Sequence, residues 1–570
     1  MKKIKNHFRF ILYIFLFIGI CNVVYPKNLN KYYKTDKISD YFSGVLLLYD
    51  NEYASSYKRL KNLEGLEEFN STYPRFYQYS SINSGNFYNA YRYSKKLESN
   101  KIDNFESNLI IGLYYLKNGK YDRALKYFQK LEKDQKKALE SLISISLQNW
   151  VSFLKADAIS AHNLIENMHP RFKNIKKIQK TFANCFFDSN NTHQVFLELT
   201  SDKKTDFSRY NFFHANYLIK KGRTSEATDL IDRSLKLNPR NLILNQLKVD
   251  LNQEKIEDFN NRFDCRNLSN VSAEILYIAA NGLSSQSEYQ LSNFYLNLAR
   301  FLNPNFISFD ALYAENLYMV DKFEAAEKIY KKIINAGSVY SWHASKQIAN
   351  ILEDQGREDE SVEFLKNRYN KISSPSVNAV YDYASFLKNN KKYEESINYY
   401  TKVLNLIDKD NHLYPKAADG RGIAYERTDN WEKAEKDFLN SLDVLPDQAY
   451  VINYLAYSWI EKGINIEKSL KMLERANRLK RHDGYITDSL GWALFKLERY
   501  QEAKKYLQLA LMIMPSDPII NDHYGDVLWM NKQTIQSRYY WNYVLNSKEA
   551  EEELKKSAKE KIIFGLKPKS

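Results

Sequence analysis

Apolar and small side chains recur along most of the chain at the offsets of two helices that pack on each other. The clearest case is residues 488–515, where Leu490 and Gly491 fall on one face of a first helix. Ala503 and Leu507 fall on one face of the helix that follows. The small Gly491 and Ala503 allow the two helices to approach closely, and the leucines fill the space beside them. The pattern therefore predicts a helix-turn-helix unit.

Similar patterns recur at intervals of about 34 residues. The copies are marked by Tyr524 with Trp541, Leu455 with Leu473, Gly422 with Phe438, Ala384 with Tyr400, Ala326 with Tyr330 and, near the start, Gly112 with Phe128. A unit of this kind buries its apolar faces only against its neighbours. The series therefore predicts an all-α solenoid.

Residues 488–515 resemble a tetratricopeptide repeat (TPR), because small and large residues stand at the positions of that motif. Residues 415–566 are similar to a widespread group of proteobacterial TPR proteins that carry signal sequences. The stretches that carry this second resemblance are 453–460, 484–492 and 517–526. The resemblance implies a right-handed α-solenoid and a class of proteins without established enzymatic activity.

The repeats divide the chain into six predicted segments. They are a signal peptide or N-terminal anchor (1–25), degenerate and regular repeats (26–138), diverged helical repeats (139–272), middle repeats (273–410), well-matched repeats (411–547), and a capping helix with a tail (548–570). In the diverged segment, the pattern predicts helices over 142–154, 156–168, 175–187 and 193–199. These helices are most simply repeats that keep the stack continuous.

The N-terminus indicates the compartment. Four basic residues lie within residues 1–9, and residues 10–20 are apolar. A basic start followed by a short apolar run is typical of a signal peptide. We therefore expect a periplasmic or cell-envelope protein. Cleavage, lipidation at Cys21 and retention as an inner-membrane anchor all stay open.

The net charge of +14 raises the question of a nucleic-acid partner. Lys and Arg are interspersed with Glu and Asp, however, and no nucleic-acid-binding motif is present. The 45 tyrosines fall mostly at packing offsets of the repeats. The charge therefore favours solvated helix faces, and we expect no nucleic acid as partner.

Motifs for catalysis, cofactors and metals are missing from the sequence. It has no phosphate-binding glycine loop, nucleophile elbow or zincin histidine pair. His162, Glu166 and His169 share a helical spacing, but Pro170 ends that helix and no fourth ligand is evident. Asp522 and His523 are successive helix residues that point about 100° apart, which argues against joint acid–base chemistry. We expect no catalytic residue, no cofactor and no metal site.

Two cysteines remain after the N-terminal segment, Cys185 and Cys265, and they are 80 residues apart. This separation exceeds two repeats. Packed helices lie about 8–10 Å apart, so in a regular solenoid the sulfurs would be too distant to bond. We therefore expect no internal disulfide.

The TPR resemblance also implies which residues line the concave surface, because set positions of each first helix face that groove. The residues at those positions that we expect to bind protein or peptide are Tyr450, Asn453, Tyr457, Tyr485, Asp488, Trp492, Asp522, Asp526 and Trp529. Asn453, Asp488 and Asp522 then form a polar ladder that could hold an extended or basic peptide segment. The alternative is that these aspartates only cap their helices.

The sequence favours a noncatalytic scaffold or adaptor of the bacterial cell envelope that binds protein or peptide partners on its concave surface. One alternative is a structural spacer or oligomerising protein tethered at the membrane. A second is an enzyme with an unrecognised site in residues 139–272.

Overall fold

The computed structural model describes residues 35–131, 138–202, 204–254 and 262–566. Within these ranges every regular element is helical, which confirms the predicted all-α fold. The predicted signal segment lies outside the described residues. No helix of the described ranges is both long and apolar enough to cross a membrane.

The α-helices of the first part of the described chain are α1 (Thr35–Tyr49), α2 (Tyr53–Leu60), α3 (Tyr73–Asn83), α4 (Phe87–Ser99), α5 (Phe105–Lys117), α6 (Tyr121–Lys130), α7 (Ala138–Ser152), α8 (Ala158–Glu166), α9 (Lys173–Phe186), α10 (Thr192–Thr200), α11 (Tyr210–Lys220), α12 (Thr224–Leu237), α13 (Leu242–Asn252), α14 (Leu268–Ser285) and α15 (Tyr289–Leu302). Those that follow are α16 (Ile307–Met319), α17 (Phe323–Ile333), α18 (Ser338–Asp354), α19 (Glu358–Asn370), α20 (Val377–Asn389), α21 (Tyr393–Leu406), α22 (Tyr414–Glu426), α23 (Trp431–Val444), α24 (Ala449–Glu461), α25 (Ile466–Leu479), α26 (Gly484–Lys496), α27 (Tyr500–Ile513), α28 (Pro518–Met530), α29 (Thr534–Asn546) and α30 (Glu552–Phe564). Short 3-10 turns occupy Lys61–Leu63, Leu66–Glu68, Phe153–Lys155 and Pro170–Phe172.

Glycines in the first helices set the contact distance within the helix pairs. A Cβ added to any of four of them would lie 2.4 to 2.7 Å from a side chain of the second helix. The facing residue always follows 16 positions later, as Phe128 follows Gly112, Phe438 follows Gly422, Leu507 follows Gly491 and Trp541 follows Gly525. Contacts this short leave no room for a larger residue. The predicted role of Gly491 as a small packing residue is confirmed.

Residues with left-handed backbone end many of the first helices. Gly463 does so with φ of 70°, but Glu498 has φ of 61° and Lys532 has φ of 64° at the corresponding turns. A side chain makes this conformation unfavourable by about 1–2 kcal/mol. Packing of the two helices thus holds these turns in place despite their local preference.

The described residues form two compact units, which divide the chain between Ile351 and Leu352. In the N-terminal unit, helices α14 to α16 pack back on helices near the start of the chain. Asn293 Nδ2 donates to the Tyr53 hydroxyl at 2.9 Å, and Tyr313 Oη donates to the Asn83 carbonyl at 3.1 Å. The Lys117 ammonium donates to the carbonyl of α15's last residue at 2.7 Å. The helices of this unit therefore contact more than their neighbours in sequence.

The structure contradicts the expectation of no internal disulfide. Cys185, near the end of α9, is bonded to Cys265, which precedes α14, and their Cα atoms are 6.0 Å apart. The expectation assumed a regular stack, but the chain folds back at this point. The Phe263 carbonyl accepts hydrogen bonds from Asn216 Nδ2 and Lys220 Nζ of α11, at 2.9 and 3.0 Å. This return brings the segment before α14 against the end of α9.

The C-terminal unit is regular from α20 onwards. Its helices pair in chain order, and the first helices begin at Val377, Tyr414, Ala449, Gly484 and Pro518. The apolar face of α29 is covered by α30, the predicted capping helix, through a cluster that comprises Trp529, Trp541, Val544, Ala550, Leu554, Ala558, Ile562 and Leu566. The last repeat thus has a neighbour that stacks on it.

Candidate functional site

The tyrosines at the second position of successive first helices are exposed. Tyr450 of α24 is 57% exposed and Tyr485 of α26 is 56% exposed. Tyr450 Oη donates to Asp483 Oδ2 at 2.9 Å, while Asp483 Oδ1 accepts from the Ile486 amide at the start of α26. The helix-capping carboxylate therefore also positions the aromatic ring of the preceding repeat.

Asn453 and Tyr457 lie on the same face of α24, one and two turns after Tyr450. Asn453 Oδ1 is buried and accepts no hydrogen bond from a described residue. Tyr457 is half-buried against the core between α24 and α28. Burial raises the pKa of the Tyr457 phenol above its ordinary value. This face of the helix thus carries, between two aromatic side chains, the side-chain amide oxygen of Asn453 without a hydrogen-bond donor from the described residues.

Asp488 is engaged inside the protein. Its carboxylate oxygens lie 2.9 and 3.1 Å from Nδ1 of His523, on the next first helix. The His523 ring stacks on Trp492, with 3.9 Å between ring centroids. Burial opposes a charge on His523, but Asp488, Asp522 and Asp526 outweigh it and raise the pKa of the imidazole. Asp488 and Trp492 therefore form a buried link between α26 and α28.

Trp492 also contacts the preceding repeat. Its indole N–H donates to a carboxylate oxygen of Glu461 at the end of α24. Lys496 lies over the Trp492 ring at 5.0 Å and pairs with Glu461 at 3.4 Å. Trp492 is 9% exposed, so its ring forms part of the wall of the groove and offers little contact area of its own.

Asp522, Asp526 and Trp529 of α28 lie under the capping helix. Lys561 of α30 pairs with Asp522 at 2.6 Å and with Asp526 at 2.8 Å. Burial raises the pKa of Asp526 to about 6, with Asp522 adding to this effect and Lys561 opposing it. Trp529 is half-buried, and Gly565 fits against its ring so closely that a Cβ there would lie 2.0 Å away. The polar ladder is thus closed at its C-terminal end.

Sequence reasoning did not assign His523 and Lys561 to this network. His523 follows Asp488 by 35 residues, which is one repeat and one position, so the spacing alone places the two side chains on adjacent helices. Lys561 gives no such signal, because α30 is a capping helix whose alignment with the repeats is not visible in the sequence. The repeat register that placed Tyr450 and Tyr485 could therefore have identified His523, but it could not have identified Lys561.

A second concave surface lies in the N-terminal unit. We call it the N-terminal cleft, and it has a volume of about 550 Å³. It lies between α9, α11, α13, α14, α16 and α18. The residues that line it include Asp206, Arg209, Tyr277, Asn281, Ala311 and Glu315. Arg209 makes a bidentate pair with Glu274, at 2.7 and 2.9 Å. Nothing in the sequence had singled out this region as a binding surface.

The residues considered as metal ligands have separate roles. His162 contacts the Ala158 carbonyl at 2.6 Å through Nδ1 and Asn184 at 3.0 Å through Nε2. Glu166 pairs with Lys176 at 2.9 Å. In the part of the chain that the structure describes, no three His, Cys, Asp or Glu side chains are grouped so that they could hold a metal ion.

The tetratricopeptide repeat family matches residues 105–133, 377–410 and 489–517. These residues correspond to the helix pairs α5–α6, α20–α21 and α26–α27. The chain contains tetratricopeptide repeats. This confirms the resemblance on which the predicted positions rest.

Similar proteins also carry TPRs. A TPR repeat-containing protein of Pseudomonas aeruginosa is 25% identical over 178 residues, which are 31% of this chain and 29% of that protein. This chain therefore spans less than a third of that relative. A tetratricopeptide repeat protein from Parabacteroides merdae is 14% identical, with a TM-score of 0.37 over 44% of this chain and 97% of that one. YrrB, described as a TPR protein with an unusual peptide-binding site, is 16% identical, with a TM-score of 0.27 over 32% of this chain and 92% of that one.

TPRs in general are protein-interaction modules and are not catalytic. The repeats of this chain therefore support a protein-interaction scaffold in that general sense.

Proposed function

We propose that the protein is a noncatalytic scaffold or adaptor of the bacterial cell envelope that binds an extended protein segment on the concave face of its C-terminal unit. The observation that carries the proposal is the repetition of exposed Tyr450 and Tyr485 at equivalent positions, next to the unpaired Asn453 carbonyl oxygen. A peptide lying across α24 and α26 would stack on the rings, and a rotation of the Asn453 side chain would bring its buried amide oxygen to one of the peptide's backbone N–H groups. Exposed aromatic residues with few rotatable bonds favour this kind of contact.

The aspartates have a conditional part in this proposal. Asp488 and Trp492 hold the wall of the groove through His523. Asp522, Asp526 and Trp529 join the binding surface only if a basic side chain of the partner replaces Lys561. The open surface is therefore centred on Tyr450, Asn453, Tyr457 and Tyr485.

The proposed compartment is the periplasm or another part of the cell envelope. It is supported by the signal-like residues 1–20 and by the bond between Cys185 and Cys265, because such bonds persist mainly in oxidising compartments. N-terminal sequencing of the protein isolated from its host tests export, together with labelling of its thiols in intact cells. A mature protein with its full N-terminus and two reactive thiols, recovered from the cytoplasm, would contradict this proposal.

Site-specific photocrosslinking in living cells tests the binding surface. A photoreactive phenylalanine analogue replaces Tyr450 or Tyr485, and Tyr539 of α29, which is 70% exposed, provides the matched control position. We expect the same discrete partner band from positions 450 and 485 and not from 539, and its loss on Asn453→Leu substitution. Equal crosslinking at all three positions would refute a specific groove. A protein that crosslinks nothing at 450 and 485 would instead act as a spacer.

A further inference from the structure

The N-terminal cleft is a separate surface from the one proposed above, because its lining residues all belong to the N-terminal unit. Its walls combine apolar side chains, such as Ile278 and Leu312, with the amide of Asn281. A volume of about 550 Å³ lies within the range of clefts that bind small ligands or short chain segments. The cleft is therefore large enough for a side chain together with the backbone on either side of it.

The one arginine charge among the residues that line the cleft is already balanced. Arg209 donates from Nε and Nη2 to the two carboxylate oxygens of Glu274, whose side chain is 1% exposed. The guanidinium also lies over the Tyr277 ring at 3.9 Å. A bidentate pair of this kind is geometrically specific and holds both groups. Arg209 is thus committed to the floor of the cleft and gives it no excess positive charge.

The carboxylates of the cleft are not balanced in this way. Glu315 of α16 opens into the cleft and forms no ion pair or hydrogen bond within the described residues. Its side chain is exposed at the mouth of the cleft, and the protein around it raises the pKa of its carboxyl group. Asp206 adds a second carboxylate at the edge, where it accepts a hydrogen bond from the Ser208 amide at 2.8 Å. An anionic ligand would be repelled here, and a cation would find an exposed carboxylate without a partner among the described residues.

The geometry points to a second binding site with its own ligand class: we propose that the N-terminal cleft binds a protein segment carrying a lysine or arginine side chain. The cation pairs with the Glu315 carboxylate, and apolar neighbours in the segment pack on Ile278 and Leu312. Asn281, which makes no hydrogen bond within the described residues, bonds the backbone of the segment. This site is distinct from the surface proposed above and does not depend on it.

Fluorescence anisotropy with the full chain tests this assignment. The probes are fluorescein-labelled, C-terminally amidated peptides of the form Ala-Leu-X-Leu-Ala, with lysine, norleucine or glutamate as X. We expect the lysine peptide to bind about threefold to fivefold more tightly than the norleucine peptide, since an exposed ion pair contributes up to about 1 kcal/mol. We expect Glu315→Gln to remove that preference. Glu324→Gln, a matched change at an exposed carboxylate on α17 outside the cleft, should leave it unchanged.

Further experiments test whether binding takes place in the cleft and whether the cation must belong to a peptide. Ala311→Trp fills the cleft and should abolish binding while the circular dichroism spectrum stays unchanged. The same measurements on a Tyr450→Ala, Tyr485→Ala protein remove any contribution from the C-terminal surface, so the two proposals fail independently. Equal affinity for the three peptides, or an unaltered preference after Glu315→Gln, would overturn the proposal. Glu315-dependent binding of free cadaverine without peptide binding would overturn it too, in favour of a small amine.

Discussion

Removal of the bond between Cys185 and Cys265 should destabilise the N-terminal unit. The perturbation is the double substitution Cys185→Ser and Cys265→Ser, which keeps the side chains nearly isosteric. The bond closes a loop of 80 residues, for which the chain-entropy relation gives about 4.5 kcal/mol of stabilisation. The hydrogen bonds to the Phe263 carbonyl remain in the substituted protein. The fold should therefore persist, but with a smaller free energy of unfolding.

The same value can be expressed as a melting temperature. An unfolding entropy of about 2.1 cal/mol/K per residue, over a unit of this length, gives a decrease in Tm of roughly 7 °C. Differential scanning calorimetry measures this change with and without a reducing agent. The C-terminal unit contains no cysteine, so its transition is an internal reference.

Three results would refute the reasoning. The monomer would migrate identically on reducing and nonreducing gels, peptide mapping would show two free thiols, or reduction would leave the Tm of the N-terminal unit unchanged. As a control, the reducing agent should have no effect on the double-serine protein. A decrease in that protein as well would assign the change to the reagent.

Other substitutions test the packing and the electrostatics. Burial raises the pKa of Asp526 to about 6, so its ionisation lowers the free energy of unfolding as pH rises from 4 to 7. In urea denaturation over this pH range, the free energy of unfolding of the Asp526→Asn protein should decrease by about 3 kcal/mol less than that of the unsubstituted protein. An unchanged pH dependence would contradict the raised pKa of Asp526. Gly491→Ala should destabilise by about 1–3 kcal/mol because its Cβ meets a leucine at 2.7 Å. By contrast, a Cβ at Gly282 would have no other atom within 4 Å, so Gly282→Ala should stabilise the protein by about 1 kcal/mol. If urea denaturation showed that both substitutions stabilise or that both destabilise, the packing explanation would be refuted. Glu498→Gly should raise the urea midpoint and Gly463→Ala should lower it, each by about 1 kcal/mol of stability, because both turns have positive φ.

The fold was predictable where packing between sequence neighbours decides it. The contact of Gly491 with Leu507 appears in the sequence as a small residue 16 positions before a large one, and the predicted helices over 142–154 and 175–187 coincide with α7 and α9 within a few residues. The closure of the N-terminal unit was not predictable. It depends on pairs such as Asn83 with Tyr313, which are 230 residues apart and have no periodic signature.

The candidate site shows the same division. The repeat register indicated that Tyr450 and Tyr485 occupy equivalent places, and both are exposed. The register also placed Asp522 and Asp526 toward the groove, but Lys561 of the capping helix pairs with them. Periodicity describes how one repeat faces the next. It does not describe what an element outside the repeats covers.

The return of α14 to α16 onto the first helices has a consequence for synthesis. In a chain whose helices contact only their neighbours, each repeat can settle soon after it leaves the ribosome. Here the hydrogen bonds of Tyr53 with Asn293 and of Asn83 with Tyr313 form only after the later residue of each pair has been synthesised. Contacts of such high sequence separation slow folding and keep the early helices uncovered until more than half of the chain exists. The N-terminal unit is thus completed only after its last helices have been made. Its first helices are the ones that most need protection from aggregation while translation proceeds.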